Sequence, residues 1–395
     1  MKKVYLDNAA TTRVDDGVFA AMKPYFLNRY GNPSEYHKLG REARIAIEES
    51  RQTIASYFNA KPEEIIFTSC ATESINLAQK GLVESIYMES SGKKKVHVVT
   101  SSIEHKAALE SFKHLEEMEI ADVTYVKPDR YGRISLEKIK KAINKSTALV
   151  SLMYVNNEVG TMQPVHEVGQ YLKKLNKERK QKIYFHTDAT QAISYFNCDV
   201  NHLGVDLMSF TGHKIYAPKG VGALYVREDT PLVRQVDGGA QESSLRAGTE
   251  NVPYIVALGK AVEKRRNSKK QAVKLTKMRD KLIKSILKTP NTELTGHARL
   301  RAPHIASFIV SGAEGEAIVL ALSNMGVYIS SGSACTASDL MPSHVLSSMG
   351  YPPERTHGSV RFSLGKDTKA EEIDYVLKVF PKAIEAIRKM APKLD

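Results

Sequence analysis

Short apolar runs alternate with amphipathic stretches from residue 64 to residue 226, and this alternation leaves few folds open to the chain. The apolar runs are rich in β-branched and aromatic residues and have the length of buried strands; they cover 64–68, 96–100, 147–155, 182–186, 206–210 and 221–226. The stretches between them predict helices over 71–90, 104–118, 135–143 and 164–176. The sequence therefore predicts an α/β fold with a large, doubly wound domain around a mostly parallel sheet of buried parallel strands.

After residue 250 the pattern changes. A long helical stretch over roughly 250–288 contains no strand-like run. Strand-like runs then follow at 304–310, 326–330 and 358–364, with helical stretches at 314–325 and from about residue 370. This pattern predicts a second, smaller α+β domain. We expect a large domain over 16–258 and a small domain built from 1–15 and 259–395.

The chain is basic, with 57 Lys and Arg residues against 44 Asp and Glu residues. Basic runs at 173–182 and 264–270 contribute to this excess. A basic protein can bind nucleic acid, anionic membranes or acidic proteins, but runs of charge on helices are usually solvated faces. We interpret both runs as solvated and expect neither a direct nucleic-acid partner nor a membrane.

Three cysteines, Cys70, Cys198 and Cys335, lie far apart in the sequence. Their number and spacing fit neither a disulfide framework nor a metal site, so we expect no bound metal. Free cysteines are typical of reducing compartments. The apolar run Val4–Leu6 is too short for a signal-peptide core, and no stretch has the length of a membrane span. These features predict a cytoplasmic location.

Polar residues follow several predicted strands, and ligands bind beyond the carboxyl ends of such strands. Lys214 lies beside His213 in a glycine-flanked loop, where a lysine can bond covalently to an aldehyde cofactor. Asp188 could pair with a pyridinium nitrogen, and Gln191 could hydrogen-bond the ring oxygen. Each motif taken alone is more often structural, but their joint placement after strands of one sheet favours a cofactor site.

Two further strand ends add candidates. His105 begins a predicted helix, where its ring could stack on a planar cofactor and carry protons. The turn before the helix at 71–90 offers the backbone N–H groups of Ala71 and Thr72 to a phosphate, although an ordinary helix cap explains it equally. Asn156 and Asn157 follow the strand at 147–155.

Cys335 lies among small residues in the loop 331–340, which suits a nucleophile that must reach a cofactor and then an acceptor. Free cysteines are more often buried hydrophobes, as Cys198 could be. Arg361 lies in a predicted strand and could hold a substrate carboxylate through two hydrogen bonds; a surface ion pair is the alternative.

The chain resembles the NifS/IscS-type cysteine desulfurases. The similar segments, in the family's order, are 5–12, 30–40, 67–76, 101–109, 155–164, 186–192, 209–214, 245–253, 330–338 and 360–365. A match of ten segments across nearly the whole chain is far more specific than any one of them. The resemblance implies a fold-type I pyridoxal 5'-phosphate (PLP) enzyme that works as a homodimer.

The resemblance also implies roles for individual residues. Lys214 would carry PLP, Asp188 would pair with its ring nitrogen, and Cys335 would accept sulfur as a persulfide. Further cofactor contacts would be Gln191 at the ring oxygen, His105 on the ring face, Ala71, Thr72, Thr211 and His213 at the phosphate, Asn157, and Thr249 reaching the phosphate from the partner subunit. Arg361 and Asn157 would bind the substrate carboxylate, with Asn32 nearby.

The expected reaction converts L-cysteine to L-alanine and passes sulfur to an iron–sulfur scaffold or another acceptor protein, for cluster assembly or for tRNA or cofactor thiolation. The alternatives are a selenocysteine lyase, another class V PLP-dependent transferase, or a non-catalytic scaffold. The long loop 333–346 favours the desulfurase, and the presence of Lys214 and Cys335 disfavours the scaffold. The sequence departs from the family at Cys70, where glycine is common, and at Thr211, where serine is common.

Overall fold

The structure is a computed structural model that describes residues 3–266, 268–332 and 342–390. Its strands, in chain order, are β1 (Val4–Tyr5), β2 (Ile65–Thr68), β3 (Val96–Ser101), β4 (Ala121–Val126), β5 (Thr147–Ser151), β6 (Tyr184–Asp188), β7 (Leu207–Thr211), β8 (Gly222–Val226), β9 (Thr292–Thr295), β10 (Ile305–Val310), β11 (Val327–Tyr328), β12 (Ser330–Ser331) and β13 (Ser359–Ser363).

The helices of the described residues are α1 (Asp16–Met22), α2 (Pro24–Leu27), α3 (Lys38–Phe58), α4 (Ala71–Glu89), α5 (Lys106–Glu117), α6 (Leu136–Ala142), α7 (Val165–Leu175), α8 (Val200–Leu203), α9 (Val252–Glu263), α10 (Ser268–Ile286), α11 (Gly315–Asn324), α12 (His344–Ser348), α13 (Pro353–Thr356) and α14 (Ala370–Met390). No helix among the described residues combines the length and apolar character that crossing a bilayer requires.

A seven-stranded sheet in the order β2-β8-β7-β6-β5-β3-β4 forms the centre of the fold. Both of its faces are covered by helices. Neighbouring residues of a strand point to opposite sides of a sheet, so adjacent residues of one strand belong to different cores. In β5, Val150 belongs to the apolar cluster that contains Phe58 of α3 and Leu172 of α7, whereas Leu149 belongs to a separate cluster with Phe112 of α5. The predicted doubly wound, mostly parallel α/β architecture is confirmed.

The run at 221–226 was predicted to be a parallel strand, and this is wrong. β8 is antiparallel to both of its neighbours, β2 and β7. The reason is the connection after β7, which holds only a short 3-10 turn over Gly212–Lys214. A parallel strand needs a crossover of a dozen residues or more, usually a helix, so the chain turns back instead.

Several other elements differ from the prediction. The long helix at 250–288 is two helices, α9 and α10, and the run at 326–330 is divided between β11 and β12. Strand β4 was missed because only its two end residues are buried, so it shows no continuous apolar run. The helix α3 and the strands β1 and β9 were not predicted.

A second apolar core lies away from the large sheet. It joins Leu6 near the N-terminus with Leu282, Phe308, Phe362 and Phe380. An antiparallel sheet in the order β12-β13-β10-β9 and the short parallel pair β1–β11 belong to this region. We propose that this body is the small domain expected from the sequence, because its core is built from the same N-terminal and C-terminal parts of the chain.

Candidate active site

A cavity of about 280 Å³ opens at the carboxyl edge of the large sheet. The predicted site residues that line it are Ala71, Thr72, His105, Asn157, Asp188, Gln191, Thr211, His213, Lys214 and Arg361. They come from separate strand ends and from β13 of the other body. The cavity is therefore shared between the two cores, as ligand sites between packed bodies commonly are.

Lys214 enters the cavity from the 3-10 turn that follows β7. Its Nζ donates hydrogen bonds to the carbonyl oxygens of Ala9 and Ala10, at 2.7 and 2.6 Å. These two carbonyls belong to the N-terminal segment, about two hundred positions earlier in the chain. They hold the amine at the edge of the cavity. The sequence did not predict this role for Ala9 or Ala10.

Asp188 ends β6 as a buried carboxylate, and its Oδ1 accepts a hydrogen bond from the backbone N–H of Thr190 at 2.9 Å. Three positions later, the Nε2 of Gln191 donates to the carbonyl of Ala9 at 3.0 Å, and its Oε1 lies 3.3 Å from the Nε2 of His304. Burial lowers the pKa of His304 to about 3, so this imidazole is neutral at pH 7. Among the described residues, the second amide hydrogen of Gln191 has no acceptor, so a ligand could accept it.

The start of α4 forms one end of the cavity. Its first residue, Ala71, follows Cys70, whose backbone is extended and whose side chain makes no capping hydrogen bond. The first backbone N–H groups of the helix therefore lack an intrahelical or side-chain acceptor, which makes this end a favourable anion site. The hydroxyl of Thr72 adjoins it.

Two further residues with a predicted phosphate contact, Thr211 and His213, also line the cavity. The hydroxyl of Thr211 donates to the carbonyl of Val221 at 3.1 Å, so a phosphate would compete with that carbonyl for its hydrogen. The Nδ1 of His213 lies 3.2 Å from the hydroxyl of Thr11. Burial, assisted by Lys214, lowers the pKa of His213 to about 4 and keeps the ring neutral at pH 7.

His105 caps α5, and its Nδ1 accepts a hydrogen bond from the N–H of Ala107 at 3.1 Å. The proton of the neutral ring therefore resides on Nε2. Burial lowers the pKa of His105, while Asp188 opposes this shift. A neutral imidazole with a fixed tautomer can take up or release one proton near neutral pH.

The residue before His105, Glu104, is completely buried and was not predicted. Its carboxyl accepts hydrogen bonds from the hydroxyl of Ser101 at 2.5 Å and from the N–H of Met153 at 3.0 Å. Burial raises its pKa to about 8, so it is mostly protonated at pH 7. Glu104 ties the loop that carries His105 to the chain that follows β5, and so fixes two sides of the cavity.

Arg361 reaches the cavity from β13 and is almost fully buried. Its NH1 donates to the carbonyl of Asn157 at 2.8 Å, and its NH2 donates to the Oδ1 of Asp7 at 3.0 Å. Burial raises the pKa of Asp7, while the charge of Arg361 opposes that shift. Asp7 thus holds the guanidinium in one orientation. This role was not predicted, although Asp7 lies in the segment 5–12 that resembles the family.

Three buried polar atoms at the cavity have no hydrogen-bond partner among the described residues. They are the Oδ1 of Asn157, the Oγ1 of Thr190 and the Nε of Arg361. Unsatisfied buried groups are costly and are expected to be satisfied by a ligand. With the free helix start of α4 and the lysine Lys214, this set fits a phosphate-bearing aldehyde and an amino-acid carboxylate.

The comparisons with known proteins agree with this geometry. A sequence profile of the class-V aminotransferase family matches residues 4–376. The chain belongs to that family. The cysteine desulfurase IscS of Dictyoglomus turgidum is 44% identical over 393 residues, which cover 99% of this chain and 97% of the relative. The predicted membership of the NifS/IscS group is confirmed.

Solved structures of the family are also similar. A NifS-like protein superposes with a TM-score of 0.89 at 37% identity, covering 98% of this chain and 100% of its own. SspA, determined in complex with cysteine, superposes with a TM-score of 0.79 at 36% identity, covering 92% of this chain and 99% of its own. The predicted fold-type I architecture is confirmed by these neighbours.

Among the described residues, two predicted site residues do not line the cavity. Thr249 is exposed and borders a separate depression beside Thr68 and Gly220. Asn32 is exposed, and its Oδ1 accepts a hydrogen bond from the N–H of Ser34 at 2.9 Å. Cys335 lies outside the described residues. The roles of Thr249 and Asn32 therefore remain predictions that depend on a second subunit or on substrate.

Glu158 is a further cavity residue that was not predicted. It is buried, and its Oε2 accepts a hydrogen bond from the hydroxyl of Ser343 at 2.5 Å. Burial raises its pKa, against the opposing charges of His344 and Arg361. Its position directly after Asn157 in the segment 155–164 was a signal that could have identified it. Among the described residues, no three acidic, histidine or cysteine side chains converge as metal ligands do.

Substitution of Cys70 by alanine is expected to leave the activity within about twofold, since the anion site at this turn is formed by the backbone rather than by side chains. The thiol makes only a long contact, 3.7 Å from the hydroxyl of Ser69. Cysteine-dependent alanine release and mass spectrometry of the alkylated protein measure the effect. Loss of the protein persulfide in this variant would instead make Cys70 a second sulfur acceptor.

Proposed function

We propose that this chain is a cysteine desulfurase that converts L-cysteine to L-alanine and retains the sulfur as a persulfide on Cys335. The observation that carries the proposal is the meeting of Lys214, Asp188, His105 and Arg361 around one cavity. A lysine, a carboxylate, an imidazole and a guanidinium are the groups that an amino-acid-processing PLP enzyme needs. The desulfurase relatives make cysteine the favoured substrate.

The proposed cofactor is PLP, attached to Lys214. Asp188 would hold the ring nitrogen, and the start of α4 with Thr72 and His213 would hold the phosphate. When bound, PLP acts as an electron sink that weakens the bonds at the α-carbon of an amino acid. Gln191 and His105 would fix the plane of the ring from its edge and its face.

The side chains at the cavity would have separate roles in the reaction. Arg361 binds the substrate carboxylate, together with the side-chain N–H groups of Asn157. The amine of Lys214 removes the proton from the substrate α-carbon and returns protons later in the cycle. His105 carries a proton at Nε2, because its Nδ1 is occupied by the N–H of Ala107.

Cys335 performs the sulfur transfer. Its thiolate attacks the sulfur of the bound cysteine, so a sulfur–sulfur bond forms while the carbon–sulfur bond of the substrate breaks. The electron pair of the broken bond remains with the three-carbon product, which takes up a proton and leaves as alanine. The sulfur stays on the enzyme until an acceptor thiol removes it.

We further propose that the enzyme is a cytoplasmic homodimer and that it delivers sulfur to an acceptor protein, such as an iron–sulfur scaffold. Thr249 supports the dimer, because an exposed threonine outside the cavity could reach the phosphate of a partner subunit. A selenocysteine lyase or another class V transferase remains the alternative outcome of the test. The solved relative SspA, determined with cysteine, favours cysteine.

The test is an assay of the purified, yellow holoenzyme with L-cysteine and, separately, with L-selenocysteine. We expect equal amounts of alanine and protein-bound sulfur from L-cysteine in a single turnover without acceptor. Alanine formed from selenocysteine but not from cysteine would establish the alternative. Pyruvate in place of alanine would indicate elimination chemistry and contradict the proposal.

Substitution of Arg361 by alanine is expected to raise KM for L-cysteine by about 10- to 100-fold, because a hydrogen bond to a charged group contributes about 1.5–3 kcal/mol. The absorbance of bound cofactor should change little. The variant Asp7→Asn keeps an oxygen acceptor but removes the charge that orients Arg361, so a smaller rise in KM is expected. An unchanged KM in Arg361→Ala would mean that another group binds the carboxylate.

A further inference from the structure

A large positive charge lies at one edge of the large sheet. The segments 91–95, 140–146 and 173–182 contain twelve basic residues and one acidic residue, so they carry a net charge of +11. The basic residues are Lys93, Lys94, Lys95, Lys140, Lys141, Lys145, Lys173, Lys174, Lys177, Arg179, Lys180 and Lys182. We call these three segments the basic entry surface.

The fold brings these segments together because they lead into three neighbouring parallel strands. β3, β5 and β6 lie side by side in the sheet, so their N-terminal ends share one edge. Arg179 joins two of the segments directly, since its guanidinium donates to the carbonyls of Asn144, Lys145 and Thr147 at 3.0 to 3.1 Å. The three runs, separate in sequence, form one surface.

For most of these charges, the contacts among the described residues show no structural role. Nine of the lysines are exposed, namely Lys93, Lys94, Lys95, Lys141, Lys145, Lys173, Lys174, Lys177 and Lys180, and none forms an ion pair with a described residue. In the other basic run, Lys264 pairs with Asp15 and Arg265 is buried against the ring of Tyr216, whereas Lys269 and Lys270 are exposed and form no ion pair with a described residue. Helix-dipole stabilisation accounts for the lysines in the last turns of α6 and α7, but not for those in the loops.

Acidic residues limit the surface on both sides. Glu116, Glu117 and Glu119 flank the turn into β4, and Asp206 lies before β7, where it pairs with Lys182 at 2.8 Å. The positive charge at this edge is therefore a bounded patch over three strands. Because β5 has five residues, roughly 16 Å of strand separates the patch from the cavity at the opposite edge.

We propose that the basic entry surface binds the phosphate backbone of an RNA helix. Lysine outnumbers arginine eleven to one, and Arg179 is already engaged with backbone carbonyls. Protein interfaces favour arginine and are poor in lysine, whereas lysine serves well as a point charge for phosphate. This composition points to a polyanion of phosphates rather than to an acidic protein.

The other side chains of the surface indicate a double helix. The three segments contain no aromatic residue, and two tyrosines beside them, Tyr171 and Tyr184, are each covered by an ammonium group, from Lys140 at 5.2 Å and Lys182 at 4.4 Å from the ring centre. They are thus poorly placed to stack on unpaired bases, which single-strand sites require. The surface consists of helix C-termini and loops, with no helix placed to read a DNA major groove. Recognition of backbone and shape is the mode typical of RNA helices.

The test measures binding of the purified holoenzyme to a fluorescent RNA duplex of about 20 base pairs, longer than the ~16 base pairs that one double-stranded-RNA-binding domain spans. The variant combines Lys145→Gln, Lys177→Gln and Lys180→Gln. A matched control combines Lys269→Gln, Lys270→Gln and Lys274→Gln, three exposed lysines on α10 that remove the same charge elsewhere.

We expect the unaltered enzyme to bind the duplex, with an affinity that falls at least tenfold between about 50 and about 200 mM salt. The entry-surface variant should bind at least about tenfold more weakly, with a salt slope reduced by about 2 to 3, and the control should bind as the unaltered enzyme does. Alanine release and the unfolding transition should be unchanged in both variants, because neither set lies at the cavity.

Several outcomes would overturn the inference. One is the absence of salt-dependent duplex binding, and another is an equal loss in both variants, which would indicate net charge alone. Tighter binding of a DNA duplex of the same length would reject RNA as the ligand. Binding of polyglutamate through the same lysines, without duplex binding, would make the partner an acidic protein. None of these results depends on whether the desulfurase proposal holds.

Discussion

Replacement of Lys214 by alanine is expected to remove the covalent attachment of the cofactor and to lower kcat/KM for L-cysteine by at least about 10³-fold, within the range for loss of a proton-transfer group. Two functions disappear with one amine: the bond to PLP and the proton transfer at the α-carbon. The hydrogen bonds of its Nζ to the carbonyls of Ala9 and Ala10 would be lost as well. The fold should persist, because the Lys214 side chain extends into the cavity instead of the core.

The measurement is reduction with borohydride followed by peptide mass spectrometry, with alanine release measured in parallel. In the unaltered enzyme the cofactor should be found on the peptide that contains Lys214, and in Lys214→Ala on no peptide. Lys219→Ala is the matched control, since Lys219 is exposed on the same loop five positions away. Cofactor attached to Lys219 in either protein would contradict the assignment of Lys214.

Replacement of Cys335 by serine is expected to stop sulfur transfer while the cofactor remains bound. A neutral hydroxyl attacks sulfur far less readily than a thiolate does, and loss of a catalytic nucleophile commonly costs more than about 10³-fold in kcat. The cofactor would be held by Lys214, Asp188 and His105, which need no thiol. The variant should therefore bind L-cysteine and change the absorbance of the cofactor, but release no alanine.

Absorbance spectra with L-cysteine and single-turnover assays of alanine and protein persulfide separate binding from transfer. Cys70→Ser is the matched control, because it makes the same exchange at the thiol that lines the cavity. Cys198 is less suitable, since burial raises its pKa to about 12 and keeps it a thiol. Continued cysteine-dependent alanine release by Cys335→Ser would exclude Cys335 as the acceptor and favour a lyase.

Local sequence patterns were sufficient for the α/β architecture and for most of the cavity. Strand-like runs and helical stretches are visible because burial imposes a period on each element. Lys214, Asp188 and His105 could then be assigned to one site, since the carboxyl ends of parallel strands share one edge. The resemblance to the desulfurases implied the same three residues. It also implied Cys335 and Arg361, which their positions in a loop and a strand had already suggested.

Contacts between distant parts of the chain could not be read in this way. Asp7 holds Arg361 across 354 positions, and Ala9 accepts from Lys214 across 205 positions. Such pairs depend on how the two bodies pack and leave no periodic trace in either segment. The reversed direction of β8 likewise follows from the length of its connection, which an apolar run does not reveal.

The basic run at 173–182 also shows how local sequence and tertiary structure contribute different information. By itself it has the character of a solvated helix face, as the sequence predicted. The parallel order β6-β5-β3 places it beside two other lysine-rich segments and so gathers a net charge of +11 at one edge of the sheet. The sequence by itself determined the elements, the charges and the chemical groups of the cavity. Only the tertiary structure decided which of them meet, because meeting depends on strand order and packing between segments far apart in the chain.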